Sequence, residues 1–268
     1  MSEYTSGKEI SYACPECKRK LHPIENALQC VACNQTYPIV DSIPDFLTGG
    51  SGADLAPILR IARGMDILAP IYENRLWYQA LLNLSGAGRN SLHSIANFHT
   101  ETLKVVTGAV LDVACGPVTY GRRITSPSRN VYGIDISMGA LRQGLNYVRQ
   151  EGAVGIHLAR ARVEALPFGN GVFDGGICSG SLHLFPDTVI ALREIARTMK
   201  AGAPLSVQTF VAGGQSAIMR LLGKWRDVKA FDLYQLRQAL AEAGFEKFQS
   251  KQEGVFLTFS VCKTALRA

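Results

Sequence analysis

Short apolar stretches that end in small or acidic residues recur through the second half of the chain. Val110–Val113 runs directly into the turn Ala114–Gly116, and Val131–Ile134 ends in Asp135 about 20 residues further on. A third stretch follows at Gly175–Cys178. Continuous apolar runs bounded by glycine are typical of strands that are buried on both faces. The pattern therefore predicts a doubly wound α/β sheet.

The segment before these strands has a helical pattern. Apolar residues recur at helical spacing through Leu55–Leu84, and a second helix is expected over Leu92–Val106. Thr48–Gly52 has the composition of a flexible linker. We therefore expect three parts: a small module over 1–48, a linker and helices over 49–106, and an α/β domain over 107–268.

The turn and the acidic residue at the next strand end indicate the type of ligand. A glycine turn lets backbone N–H groups approach a ligand, and the Asp135 carboxylate can accept hydrogen bonds from two ribose hydroxyls. The turn lacks the full G-x-G-x-x-G, and it has no Gly-Lys-Ser/Thr of a phosphate-binding loop. The ligand predicted from these residues is a nucleoside without a pyrophosphate.

Four cysteines near the start form two C-x-x-C pairs, Cys14/Cys17 and Cys30/Cys33. Two such pairs supply the closed tetrahedral set of thiolates that structural zinc prefers. A redox C-x-x-C would need only one pair at the start of a helix, and two disulfides would require an exported chain. The spacing therefore predicts a zinc ribbon that stabilises the fold and carries no chemistry.

Composition agrees with a folded α/β protein. The chain has 268 residues, of which 47% are hydrophobic and 19% are charged, enough for one sizeable domain and a smaller module. It has neither a run of 18 apolar residues nor a recognisable export signal at Met1–Tyr4. The expectation from these features is a soluble, cytoplasmic protein.

The motifs after the second strand resemble a known enzyme family. They are Glu164–Phe168, Gly171–Asp174, Ser181–Asp187 and a helix that contains Leu192–Arg197. In this order they resemble the class I S-adenosylmethionine-dependent methyltransferases, above all the enzymes allied to the ubiquinone and menaquinone C-methyltransferases. The resemblance covers about Gly108–Lys263. It implies a Rossmann-like, seven-stranded, mostly parallel sheet, S-adenosyl-L-methionine as cofactor, and methylation of a small molecule at carbon or oxygen.

The resemblance also implies roles for residues that match the family's motifs. Asp112 would orient the turn, Asp135 would hold the ribose, and Ser179 would lie near the sulfonium. The residues implied for donor binding are Tyr72, Asp112, Ala114, Cys115, Gly116, Asp135, Ile136, Val163, Glu164 and Ser179.

His183 follows the third apolar strand, where a group facing the methyl acceptor is expected. A neutral imidazole could deprotonate a phenol, enol or thiol, so His183 is the candidate catalytic base. The alternative is a histidine that packs under a lid. In the resembled family, helices ahead of the first strand form such a lid, and Tyr72, Trp77 and Tyr78 are candidates for it or for ordinary helix packing.

Three positions depart from the family's pattern, of which Ala203, where a second glycine is usual after Gly202, is a mild change at a turn. Val118 stands where glycine is usual, and its branched side chain is expected to narrow the donor pocket. Arg162 stands where an Asp or Asn usually accepts the adenine amino group, and it offers only donors. These changes leave open a binding or scaffold protein with a degenerate pocket.

The ribbon resembles that of the small activator proteins of tRNA methyltransferases, which raises RNA as a substrate. The formal charge is +6, and four thiolates with one Zn²⁺ lower it to +4. Lys18–Lys20 is the only short basic run, a weak electrostatic footprint for an RNA-binding protein. A small-molecule acceptor is therefore preferred, and RNA base methylation is the alternative. The sequence names neither the acceptor nor the oligomeric state.

Overall fold

A small antiparallel sheet forms the N-terminal part of the protein. The structure is a computed structural model that describes residues 10–47, 62, 64, 66, 91–211 and 231–265, and elements are numbered over these residues. The two cysteine pairs lie in turns, one before the first strand and one between the second and third strands. The strands are β1 (His22–Ile24), β2 (Ala27–Gln29), β3 (Thr36–Val40) and β4 (Ile43–Pro44), paired in that order.

A seven-stranded sheet forms the centre of the larger domain. Its strands are β5 (Gly108–Val113), β6 (Arg129–Asp135), β7 (Ile156–Arg160), β8 (Gly175–Ser179), β9 (Pro204–Phe210), β10 (Phe245–Glu253) and β11 (Phe256–Lys263). Their order is β10-β11-β9-β8-β5-β6-β7. Strands β5 to β9 are parallel, whereas β11 pairs antiparallel with both of its neighbours, β9 and β10. The predicted mostly parallel, doubly wound sheet is confirmed.

Five α-helices connect or cover these strands in the described residues. They are α1 (Ser91–Thr102), α2 (Gly121–Ile124), α3 (Met138–Glu151), α4 (Thr188–Thr198) and α5 (Leu233–Glu242). Helices α3, α4 and α5 begin at side-chain caps, in which Ser137, Asp187 and Asp232 accept hydrogen bonds from backbone N–H groups. The helix predicted over 92–106 ends earlier, at Thr102, and a short turn joins it to β5.

The strands are apolar along their length because both faces of the sheet are covered. All of β5 after its first residue is buried, including Asp112. One core cluster contains Tyr132, Phe168 and Phe173, whose rings meet edge to face. A second cluster, on the side of α3, contains Val110, Val131 and Leu141.

The small sheet docks on the edge strand β7. The N–H of Phe46 donates to the carbonyl of Arg160 at 2.8 Å, and Asp45 pairs with Arg160 in parallel fashion. A second contact joins the N–H of Ala13 to the carbonyl of Pro167 at 2.9 Å. The chain thus covers the exposed backbone groups of its own edge strand, which would otherwise be free to pair with other chains.

The predicted lid helices lie mostly outside the described residues. Ala62, Gly64 and Asp66 are helical, in agreement with the helical pattern there. Tyr72, Trp77 and Tyr78 fall outside the described part of the chain. Among the helices that are described, none is both long and apolar enough to cross a membrane.

Candidate functional site

A cleft opens at the carboxyl ends of β5, β6 and β8. Because β5 lies between the other two strands, the crevice forms where the chain crosses from one half of the sheet to the other. Seven of the residues predicted for donor binding line it: Ala114, Gly116, Asp135, Ile136, Val163, Glu164 and Ser179.

The turn after β5 is held to the end of β6 by a carboxylate. Asp135 Oδ2 accepts from the N–H of Gly116 at 2.8 Å, and its Oδ1 accepts from the N–H of Ser137 at 2.8 Å. Ala114 and Gly116 have positive φ, of 50° and 53°, which forms the sharp turn. Asp135 is buried, and this burial raises its pKa. Each carboxylate oxygen keeps a lone pair for a ligand.

Asp112 lies beneath this turn and does not line the cleft. Its carboxyl group is buried, and within the described part of the chain Oδ2 has no hydrogen-bond partner. Burial raises the pKa of Asp112 to about 7, and the charge of Asp135 adds to the shift, while a hydrogen bond from the backbone of Gly121 opposes it. The position agrees with an orienting role rather than direct ligand contact.

Two expectations for the turn are wrong. The Cys115 side chain does not line the cleft but packs against Gly133, where an added Cβ would lie 2.9 Å from its sulfur. Val118 is likewise absent from the lining and is fully buried in the second core cluster. Val118 does not narrow the cleft because its side chain lies against Gly121, where an added Cβ would be 2.5 Å from Cγ2.

Arg162 does line the cleft, close to Glu164. Burial raises the pKa of the Glu164 carboxyl, and the positive charge of Arg162 partly opposes this shift. The wall at this end of the cleft therefore carries a guanidinium and a carboxylate side by side. Arg162 can donate to ring nitrogens of a base but cannot accept from its amino group.

His183 is buried and is not part of the cleft lining. Its ring meets Phe210 edge to face at 4.5 Å, and Nδ1 has no hydrogen-bond partner among the residues that the structure describes. Burial lowers the pKa of His183 to about 4. The imidazole is therefore neutral near pH 7, and its neighbours Leu184 and Phe185 face the cleft in its place.

The four cysteines converge on one point. The Sγ atoms of Cys14, Cys17, Cys30 and Cys33 all lie within 4.8 Å of one another. Zn–S bonds of about 2.3 Å in a tetrahedron place sulfurs about 3.8 Å apart, close to the 3.5 Å between Cys14 and Cys33. Tyr37 Oη lies 3.3 Å from the sulfur of Cys14 and supports the cluster from the buried side. The cluster fits a structural zinc ion.

Comparisons with known proteins agree with the fold of the N-terminal ribbon and with that of the larger domain. Residues 110–202 match the family model described as a methyltransferase domain, and residues 13–42 match that of Trm112p-like proteins. An uncharacterized chloroplastic methyltransferase of Arabidopsis thaliana is 26% identical over 75% of this chain and 62% of its own length. Residues 110–202 are therefore similar to methyltransferase domains, and the chain shares this similarity with named methyltransferases. It carries a Trm112p-like ribbon in front of the methyltransferase domain.

Further comparisons match only part of the chain. The ubiquinone/menaquinone biosynthesis C-methyltransferase UbiE of Pasteurella multocida is 37% identical, but over only 38% of this chain and 39% of its own length. The phosphoethanolamine N-methyltransferase 2 of Haemonchus contortus, solved with S-adenosyl-L-methionine, shares the fold with a TM-score of 0.58 at 15% identity, over 65% of this chain and 53% of that one.

The shared fold does not by itself determine which reaction this chain carries out. The [4+2]-cyclase SpnF superposes with a TM-score of 0.62 at 16% identity, over 76% of this chain and 95% of that one. A protein named for cyclisation thus shares the architecture. Function has to be argued from the cleft.

Two side chains near the cleft were missed by the sequence reasoning. Asp66 Oδ1 accepts from Ser137 Oγ and from the N–H of Gly139, at the start of α3 beside Asp135. His99 is fully buried on α1 and contacts Ser179. Its spacing from the buried Ile95 and Leu103 was an available signal, because a histidine on the apolar face of a helix needs polar partners.

Proposed function

We propose that this chain binds S-adenosyl-L-methionine in the cleft and transfers its methyl group to a small molecule, at carbon or oxygen. The observation that carries the proposal is the buried Asp135 carboxylate, which is tied to the glycine turn and lines the cleft at the carboxyl ends of the strands. The absence of a phosphate-binding sequence favours a nucleoside that carries no pyrophosphate.

In this proposal the donor lies across the ends of three strands. The ribose hydroxyls donate to Asp135 at the end of β6, and Val163 and Glu164 flank the base. The amino-acid part then crosses the turn at Gly116 towards Ser179 at the end of β8. Bound in this way, the donor supplies an electrophilic methyl group, and the chain aligns the acceptor for in-line attack and excludes water.

Apolar side chains favour an apolar or aromatic acceptor. Leu184, Phe185 and Pro186 line the same cleft beside Ser179. Relatives named demethylmenaquinone methyltransferase, such as that of Anoxybacillus flavithermus, suggest a demethylated quinol as the first acceptor to test. His183 does not line the cleft and burial lowers its pKa to about 4, so we favour a packing role for it over the role of a base.

RNA base methylation remains the second candidate because of the Trm112p-like match. Its electrostatic support is small, since Lys18 of the basic run is paired with Glu194 at 2.7 Å. Arg19 and Lys20 are exposed. A cytoplasmic location also remains a proposal, because the Arabidopsis thaliana relatives are chloroplastic.

Calorimetry with S-adenosylmethionine tests the donor site directly. We expect saturable one-to-one binding, followed by transfer of a labelled methyl group to a demethylated quinol. Absence of donor binding refutes the proposal and leaves the scaffold hypothesis. Transfer to RNA, with an affinity that falls steeply as salt is added, would replace the small-molecule proposal by the RNA alternative.

A further inference from the structure

His99 lies at the centre of a short buried chain of hydrogen bonds that ends in the cleft. Its Nδ1 lies 2.8 Å from Ser206 Oγ, and its Nε2 lies 3.1 Å from Ser179 Oγ. His99 and Ser206 are fully buried, whereas Ser179 lines the cleft. The three residues belong to α1, β9 and β8, so only the packing of the helix on the sheet brings them together.

The imidazole of His99 is neutral. Burial lowers its pKa to about 3, and its ring meets Tyr120 edge to face at 4.8 Å. A neutral imidazole has one N–H and one nitrogen that only accepts. The two serines must therefore play opposite parts, one donating to the ring and the other accepting from it.

The surroundings of Ser206 decide which serine donates to His99 and which accepts from it. Within the described residues, His99 is the only hydrogen-bond partner of the Ser206 hydroxyl. A buried hydroxyl proton without an acceptor is destabilising, so Ser206 donates to Nδ1. The ring proton then resides on Nε2 and is donated to Ser179 Oγ. The hydroxyl proton of Ser179 is thereby left free to point into the cleft.

We propose that His99 is a positioning residue that holds the Ser179 hydroxyl as a hydrogen-bond donor to the carboxylate of the methyl donor's amino-acid part. The inference rests on the proposed function. Asp135 and Ser179 lie at the ends of β6 and β8, with β5 between them. A donor whose ribose is held at Asp135 therefore extends its amino-acid part towards Ser179.

The hydrogen-bond direction can be tested without any ligand. Nitrogen-15 NMR of histidine-labelled protein distinguishes the two neutral tautomers. We expect the proton of His99 on Nε2, and Ser206→Ala should remove this preference. A proton on Nδ1 in the wild-type protein would overturn the proposed direction.

Binding of two ligands tests the part that His99 plays. S-adenosylhomocysteine carries the amino-acid carboxylate, whereas 5′-methylthioadenosine keeps the nucleoside and sulfur without it. Ser179→Ala and His99→Phe should weaken the binding of S-adenosylhomocysteine roughly tenfold. The affinity for methylthioadenosine should stay within about twofold of the wild-type value. His99→Gln should lose less affinity for S-adenosylhomocysteine, because the glutamine amide can still donate to Ser179. His93→Gln, an exposed histidine on the same helix, is the matched control.

The outcomes are distinct. Equal losses for both ligands, or no loss for S-adenosylhomocysteine, would overturn the positioning role. If His99→Phe does not fold, Ser206→Ala gives the same test, because it removes the fixed tautomer while leaving the cleft lining intact. Wild-type protein that binds neither ligand refutes the proposed function and the ligand part together, while the NMR experiment still decides the direction of the hydrogen bonds.

Discussion

Arg160 connects Asp45 of the ribbon to Ile136 in the wall of the cleft. Its Nη1 donates to Asp45 Oδ2 at 3.0 Å, and its Nε donates to the carbonyl of Ile136 at 2.8 Å. Both charged side chains are largely buried, with 14% and 5% of their surface exposed. The ribbon therefore supports the wall of the cleft through this pair, in addition to covering the edge of the sheet.

Arg160→Gln should destabilise the protein by about 3 kcal/mol, because it leaves Asp45 as an uncompensated buried charge. It should also weaken donor binding, since Ile136 loses its support. Arg142→Gln is the matched control: it breaks the exposed pair between Arg142 and Asp41, which joins the same two parts, and should cost less than about 1 kcal/mol. Denaturant unfolding and calorimetry would measure both effects. Equal effects of the two variants would contradict the argument.

The cysteine cluster should hold one zinc ion per chain. Cys30→Ser should lower the melting temperature, because a structural zinc site contributes several kcal/mol of folding free energy. Cys262→Ser, outside the cluster in β11, should retain the zinc and most of the stability. Elemental analysis of freshly purified protein is the measurement. A zinc-free protein of normal stability would show that the cysteines serve another purpose.

Asp135→Ala should weaken donor binding by at least tenfold, since hydrogen bonds to a charged group contribute about 1.5–3 kcal/mol. The variant also frees the N–H groups of Gly116 and Ser137, so a loss of stability is expected as well. A donor analogue without the 2′-hydroxyl separates the two effects. The wild type should bind this analogue more weakly than the full donor, whereas the variant should bind the two equally. An equal loss of affinity in both proteins would place the ribose elsewhere.

Val118→Gly should leave donor affinity unchanged within about twofold, because Val118 lies in the core rather than in the cleft. Glycine relieves the positive φ of 55° but loses about 1.5–3 kcal/mol of side-chain burial. Val118→Ala loses most of the burial without relieving the backbone, so it should be the less stable of the two. Unfolding free energies would rank them. Tighter donor binding by Val118→Gly would restore the narrowed-pocket hypothesis.

His183 should make stability depend on pH. Its folded pKa is about 4, below the ordinary value of 6.5, so the unfolded chain takes up the proton first. The neutral His183 therefore contributes on the order of 3 kcal/mol to the free energy of unfolding. This contribution is fully present above about pH 6.5 and is lost as the pH falls towards 4. His183→Gln should remove this share of the pH dependence and leave the share of the buried His99, as measured by urea unfolding across that range. Parallel curves for the two proteins would show that the imidazole is not buried as a neutral group.

The candidate donor site was largely predictable because its signals are local. The turn after β5 and the acidic end of β6 are each short in sequence, and parallel strands bring their carboxyl ends together. Seven of the ten predicted donor residues line the cleft, while Tyr72 lies outside the described residues. Cys115 and Val118 were misplaced because the positive φ values in the turn decide which side chains face the ligand. Residue types alone do not give those angles.

The sequence by itself determined the ribbon, the doubly wound sheet and the acidic residue that closes β6 beside the glycine turn. In each case the cause is local: thiolates at fixed spacing, apolar runs of strand length, and an acidic residue closing a strand. Only the tertiary structure decided which long-range partners these residues meet. Asp45 and Arg160 are separated by 115 residues, and His99 and Ser206 by 107. Such pairs form because packing brings buried polar groups together, and a buried polar group must find a partner wherever the fold places one.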